Sequence, residues 1–85
     1  MNQLLISVFC PAMSKSYDFW IPAKMKVDMV IDLICENIGS FESNTEVFAN
    51  RNNLVLCSYL EKKVLDTAKT LEQSGIKSGD KLAIL

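Results

Sequence analysis

The sequence predicts an α+β fold, a mixed sheet of four to five strands packed on one helix, with a one-turn helix before the last strand. Three observations lead there. Apolar residues alternate with a period of two near both ends of the chain. Between them, residues 27–38 change to a period of 3.6. No other segment has the length and period of a full helix, so one helix has to serve one face of a sheet.

Gln3 to Cys10 is an apolar, β-branched run and reads as the first strand. Leu4, Ile6 and Val8 share one face, with Leu5, Ser7 and Phe9 on the other. Pro11-Ala12-Met13-Ser14-Lys15 is a turn, because Pro removes a ladder donor and the serines favour local bonding. Ser16 to Ile21 alternates again, with Tyr17, Phe19 and Ile21 on one side and Asp18 and Trp20 opposite; Pro22 closes this second strand of a hairpin.

Val27, Val30, Ile31, Ile34 and Ile38 then mark one helical face, and Gly39 supplies the expected stop. Lys24 and Lys26 stand against the macrodipole at the helix start, with only Asp28 and Asp32 to offset them. Packing of the apolar face therefore has to carry the helix. Phe41 to Asn53 is polar and asparagine-rich, with Val47 and Phe48 as anchors, and reads as a loop or as a segment containing a short helical turn.

Leu54 to Ser58 is the next strand, with Leu54 and Leu56 on one face and Val55 and Cys57 on the other. Lys63-Val64-Leu65 suits a short edge strand. Thr70 to Ser74 suits one helical turn ended by Gly75. After the turn at Ser78-Gly79-Asp80, Lys81 to Leu85 makes the last strand, with Leu82 and Ile84 inward. In this order the first and last strands become parallel neighbours at the sheet centre, which is the β-grasp arrangement. The whole chain, 1–85, is expected to form a single domain.

Composition narrows the function. The 85 residues carry a net charge of −1, one arginine (Arg51) and no histidine. Without histidine the chain lacks the commonest general base, the commonest metal ligand and the usual partner of a catalytic Ser or Cys. A pI near 5.2 removes the basic face that nucleic-acid binding requires. Cys10, Cys35 and Cys57 are odd in number and lack clustered spacing, so neither a disulfide framework, a zinc site nor an iron–sulfur cluster is expected. They read as reduced, buried thiols of a cytoplasmic protein. The run ending in Phe9-Cys10 lacks the basic start and small residue of a lipoprotein signal, and no stretch has the length of a membrane span.

The remaining catalytic constellations are weak. Asp28, Asp32 and Glu36 lie on the helix's polar face, where carboxylates are solvated and their pKa values are not split. Ser14-Lys15-Ser16 holds both partners of a Ser–Lys dyad, but adjacent turn residues need not face one another. The expectation is a protein that is not an enzyme and holds no cofactor.

Three segments carry a family resemblance: Tyr17-Asp18-Phe19-x-Ile21-Pro22-Ala23, then Val27 with Met29-Val30-Ile31-Asp32-Leu33, then Leu71-x-x-Ser74-Gly75-Ile76-x-x-Gly79-Asp80-x-Leu82-x-Ile84-Leu85. With them the chain resembles the ubiquitin-like YukD/EsaB family associated with type VII (ESX-like) secretion in Gram-positive bacteria. Phe41–Asn53 departs from the pattern. The resemblance implies a cytoplasmic accessory or regulatory protein whose partners are protein components of the secretion machinery, with no nucleic acid and no membrane insertion. It transfers no active-site residues. Ubiquitin-type modifiers and sulfur carriers need a flexible Gly-Gly tail; the sequence given stops at Ala83-Ile84-Leu85, so the expectation is a non-conjugating protein.

Partner-binding candidates are apolar residues on outward faces: Trp20 on the second strand, and Val55, Ala83 and Leu85 lined up across adjacent strands with Met13 nearby in the hairpin turn. By analogy, ubiquitin carries its main binding patch there; Leu5 and Phe9 extend it if the first strand keeps its facing. A mean hydropathy of +0.18 requires some apolar surface to stay outside. The alternative reading is a ubiquitin-like scaffold that homodimerises in an unrelated complex.

Overall fold

The computed structural model describes residues 2–11, 13–41 and 54–85. Alternation places the strands as expected. β1 (Gln3–Cys10) buries Ile6, Val8 and Cys10, and it pairs antiparallel with β2 (Lys15–Pro22) from Gln3↔Pro22 to Cys10↔Lys15. The hairpin closes through Met13 N–H to the Cys10 carbonyl at 3.1 Å and Ser14 N–H to the Pro11 carbonyl at 3.2 Å. Ser14 takes the left-handed conformation there, at φ 53°. Pro22 is the last residue of β2 and of its pairing, as expected, while the strand begins at Lys15, one position before the expected start.

Helix α1 (Val27–Phe41) runs past Gly39, so the expected stop falls two residues early. Glycine ends a helix only where the backbone turns left-handed; otherwise a helix carries it at a cost of about 1 kcal/mol relative to alanine. The start, which sequence leaves poorly supported, is held from outside. Val27 N–H donates to the Lys69 carbonyl at 2.9 Å and Asp28 N–H to the Thr67 carbonyl at 3.3 Å. These carbonyls satisfy two helix donors that have no intrahelical partner. Leu71 N–H to the Met25 carbonyl and Glu72 N–H to the Ala23 carbonyl fasten the same two segments together.

β3 (Leu56–Ser58) and β4 (Lys63–Val64) form a short antiparallel pair, and β5 (Lys81–Ile84) lies between β3 and β1. β1 and β5 are parallel, Ser7↔Lys81 to Phe9↔Ala83, giving the sheet order β2-β1-β5-β3-β4. Mutual bonds between Val55 and Leu85, at 3.0 and 2.9 Å, continue the β3–β5 ladder beyond both assigned strands. Before β5, Thr70 and Gln73 form a reciprocal cap: Gln73 N–H donates to Thr70 Oγ1 and Thr70 N–H to Gln73 Oε1, each at 3.0 Å. Residues 70–75 thus close a single helical-type turn, with Ser74 N–H on the Thr70 carbonyl, and Gly75 ends it at φ 78°.

The core is one cluster between α1 and the inner sheet face. Ile6, Val8, Leu56, Leu82 and Ile84 meet Val27, Val30, Ile31, Ile34 and Ile38. No polar or charged side chain is buried among the described residues. At roughly 1.5–3 kcal/mol per fully buried large aliphatic side chain, this layer supplies the main drive for folding.

Candidate functional site

The register defines the rows of side chains on the outer face. Ser16, Phe9, Ala83, Cys57 and Val64 stand side by side across all five strands. One row along, Leu85 faces Val55. On the opposite side of that central row come Asp18, Ser7, Lys81 and Tyr59, and beyond them Trp20 with Leu5. Of the exposed large hydrophobics among the described residues, Leu5, Trp20, Val55, Tyr59, Val64 and Leu85 are on this one face; only Met29 and Leu60 are elsewhere. Folding has no use for their exposure, since α1 covers only the inner side of the sheet.

The site residues expected from sequence divide three ways. Val55 and Leu85 are neighbours and exposed, Leu85 by 55%. Ala83 lies in the same patch but is only 8% exposed, because its larger neighbours stand above a methyl group. Trp20 is outward and 62% exposed, yet it occupies the far corner. The polar row of Asp18, Ser7 and Lys81 separates it from Val55, and strand spacing and rise put the two on the order of 20 Å apart. Met13 does not join the face: it is partly buried and packs against the core. Turn residues do not follow the strand alternation, so its direction could not be read from neighbouring residues. The segment expected as a loop, Phe41–Asn53, lies outside the described residues apart from the backbone of Phe41.

Sequence reasoning missed Val64, Cys57, Tyr59 and Lys81. Val64 is 57% exposed and ends the central row. Cys57 is half-buried in that row, while Cys10 and Cys35 are fully buried; none of the three is in a disulfide. A shallow hollow of about 170 Å³ on the sheet is lined by Ser7, Phe9, Ser16, Tyr59, Lys81 and Leu82. Lys81 lines this hollow together with Tyr59 and Phe9, at the margin of the patch. Alternation within Leu54–Ser58 marks Cys57 as outward, but only the cross-strand register shows which outward residues adjoin.

The face has apolar side chains that can be desolvated, with Lys81 at their margin, on strands held in register by the sheet. Asp28, Asp32 and Glu36 are exposed on α1, and Ser14, Lys15 and Ser16 are exposed at the hairpin. Among the described residues no three His, Cys, Asp or Glu side chains converge as a metal site, and no helix is long and apolar enough to cross a membrane.

Solved structures share the architecture. The ubiquitin of Caldiarchaeum subterraneum is 15% identical with a TM-score of 0.75, the match covering 98% of this chain and 91% of that one. The ubiquitin-like domain of Plasmodium falciparum Dsk2 is 12% identical at the same TM-score, covering 98% and 96%. An N-terminal ubiquitin-like domain solved in solution is 20% identical, again at 0.75, covering 98% and 73%. At these identities the likeness establishes the ubiquitin-like β-grasp fold alone. None of the curated proteins compared with the chain matches it. The family model of the WXG100 protein secretion system (Wss) protein YukD matches residues 5–84, from β1 through β5. The chain therefore belongs to the YukD family, ubiquitin-like proteins of the WXG100 secretion system.

Proposed function

We propose that this protein is a cytoplasmic accessory or regulatory component of a Gram-positive type VII secretion system, and that it acts by non-covalent binding to a protein component of the apparatus through the outer sheet face. One observation supports this above the rest: in a chain of the YukD family, the exposed side chains of Val55, Tyr59, Val64 and Leu85 lie on the β5-β3-β4 side of the sheet face opposite the helix. Val55, Val64 and Leu85 form the anchor, with Cys57 and Ala83 filling the floor beside them and Phe9 extending the row onto β1. Desolvating clustered apolar side chains at the centre of a contact is where interface energy concentrates. The mechanism needs no bond-making step.

The experiment is deletion of the gene, followed by measurement of how much of the system's small helical substrates is exported. Export falls, and returns with the wild-type gene but not with a folded Leu85→Asp variant. Unchanged export and unchanged substrate levels after deletion contradict the proposal.

A further inference from the structure

Among the described residues the sheet has two unpaired edges, β2 and β4, and they differ. β4 is only two residues long, both exposed, with Glu61 and Lys62 just before it. An edge so short and so charged offers little to pair with. β2 is eight residues long and pairs with β1 residue for residue, without a bulge.

The hydrogen bonds around β1 determine which groups β2 leaves free. Ala23 N–H donates to the Asn2 carbonyl at 2.8 Å. On the other side of β1, Ser7 N–H donates to the Asp80 carbonyl at 3.2 Å and Gly79 N–H to the Leu5 carbonyl at 2.7 Å. Leu4, Ile6 and Val8 therefore aim their backbone groups at β2, where Ile21, Phe19 and Tyr17 meet them. Ser16, Asp18 and Trp20 aim theirs away from the sheet, and no backbone group among the described residues bonds to them across that edge. A second observation coincides with the first. Tyr17 and Phe19, on the core side of the same edge, pack against the core yet stay half-buried, and Trp20 is 62% exposed on the outer side. A strand laid along β2 would cover aromatic surface from both faces.

We propose that the β2 edge is a strand-addition site for an extended segment of a partner protein, with a lysine or arginine opposite Asp18 and apolar residues beside it. The charge at Asp18 selects against a second copy of this chain. The antiparallel self-pairing that uses all three free residues sets Ser16 against Trp20 and Asp18 against Asp18, and like charges directly opposite are destabilising. Sliding that register by two residues either sets Ser16 against Pro22, which has no N–H, or sets Trp20 against Ser14 in the left-handed turn. A cation opposite Asp18 meets no such penalty. This site is separate from the outer-face reading and does not depend on it.

The test uses the intact protein and three short blocked peptides of alternating valine and threonine: one with a central lysine, one with glutamate in its place, and the lysine peptide N-methylated at alternate amides. NMR shifts and amide exchange report on Ser16, Asp18 and Trp20, and sedimentation reports self-association. The lysine peptide is expected to protect those three amides and to bind roughly five-fold more tightly than the glutamate peptide. Asp18→Asn removes that preference, and N-methylation abolishes binding. Ser16→Pro weakens lysine-peptide binding without unfolding the sheet, because the N–H it removes points away from β1. Three results would overturn the proposal: unshifted edge amides with the lysine peptide, equal binding of both charge variants to the wild type, or a dimer that Ser16→Pro dissolves. None of them bears on the outer face, which Leu85→Asp tests separately.

Discussion

On the inner face of the sheet, Ile6, Val8, Leu56, Leu82 and Ile84 are closed beneath α1, none with more than 2% of its surface in solvent. On the outer face, Leu5, Val55, Tyr59, Val64 and Leu85 keep between 36% and 57%. Both sets come from alternation along strands, and both are apolar. The inner set is explained by folding, since one helix covers one face and the core is continuous there. The outer set has no such cause. A half-wet sheet face is ordinarily polar. This one keeps a polar row at Asp18, Ser7 and Lys81 but adds exposed apolar side chains at Val55, Val64 and Leu85, the part proposed to meet a partner.

That contrast can be broken first from the inner side. Leu82→Ala removes a fully buried side chain between β1 and β3, and a cost of about 2–5 kcal/mol is expected in urea denaturation. Leu85→Ala, three residues further along, is expected to leave stability within about 0.5 kcal/mol of wild type, because its backbone bonds with Val55 remain. Equal losses for the two would erase the distinction between the faces.

The outer side is sharpened by charge. Val55→Asp should weaken capture of the secretion partner by at least about tenfold, the cost of spoiling a contact anchor, with little change in Tm. Smaller effects follow where the chain holds itself together. Thr70→Ala removes the oxygen that caps Gln73 N–H, and thermal unfolding should show a loss of about 1 kcal/mol without loss of partner binding. Met13→Ala should cost a comparable or smaller amount and also spare binding, since Met13 packs on the core.

How much of this the sequence carried depends on whether the signal is local. The facings of Leu4, Ile6 and Val8, of Tyr17, Phe19 and Ile21, and of Leu82 and Ile84 follow from alternation over a few residues, and all hold. The helix follows from five residues at helical spacing. Its bounds do not: its start is completed by the Thr67 and Lys69 carbonyls, some forty residues away in sequence, and Gly39 could not show by itself whether the backbone would turn. The candidate face was legible as single outward residues and illegible as a surface. Placing Trp20 apart from Val55, and joining Val64 to Ala83 through Cys57, requires the register between strands, which no short window contains.

The central claim is that the outer face docks the partner, and Met29 supplies the control, being 57% exposed but on α1, away from the sheet. The direct measurement compares wild type, Leu85→Asp and Met29→Asp for binding to co-expressed cytosolic parts of the secretion apparatus, with folding of each variant checked by circular dichroism. Leu85→Asp is expected to lose binding by at least about tenfold while Met29→Asp keeps it. A folded Leu85→Asp that binds like wild type, or a Met29→Asp that loses binding equally, would contradict the account.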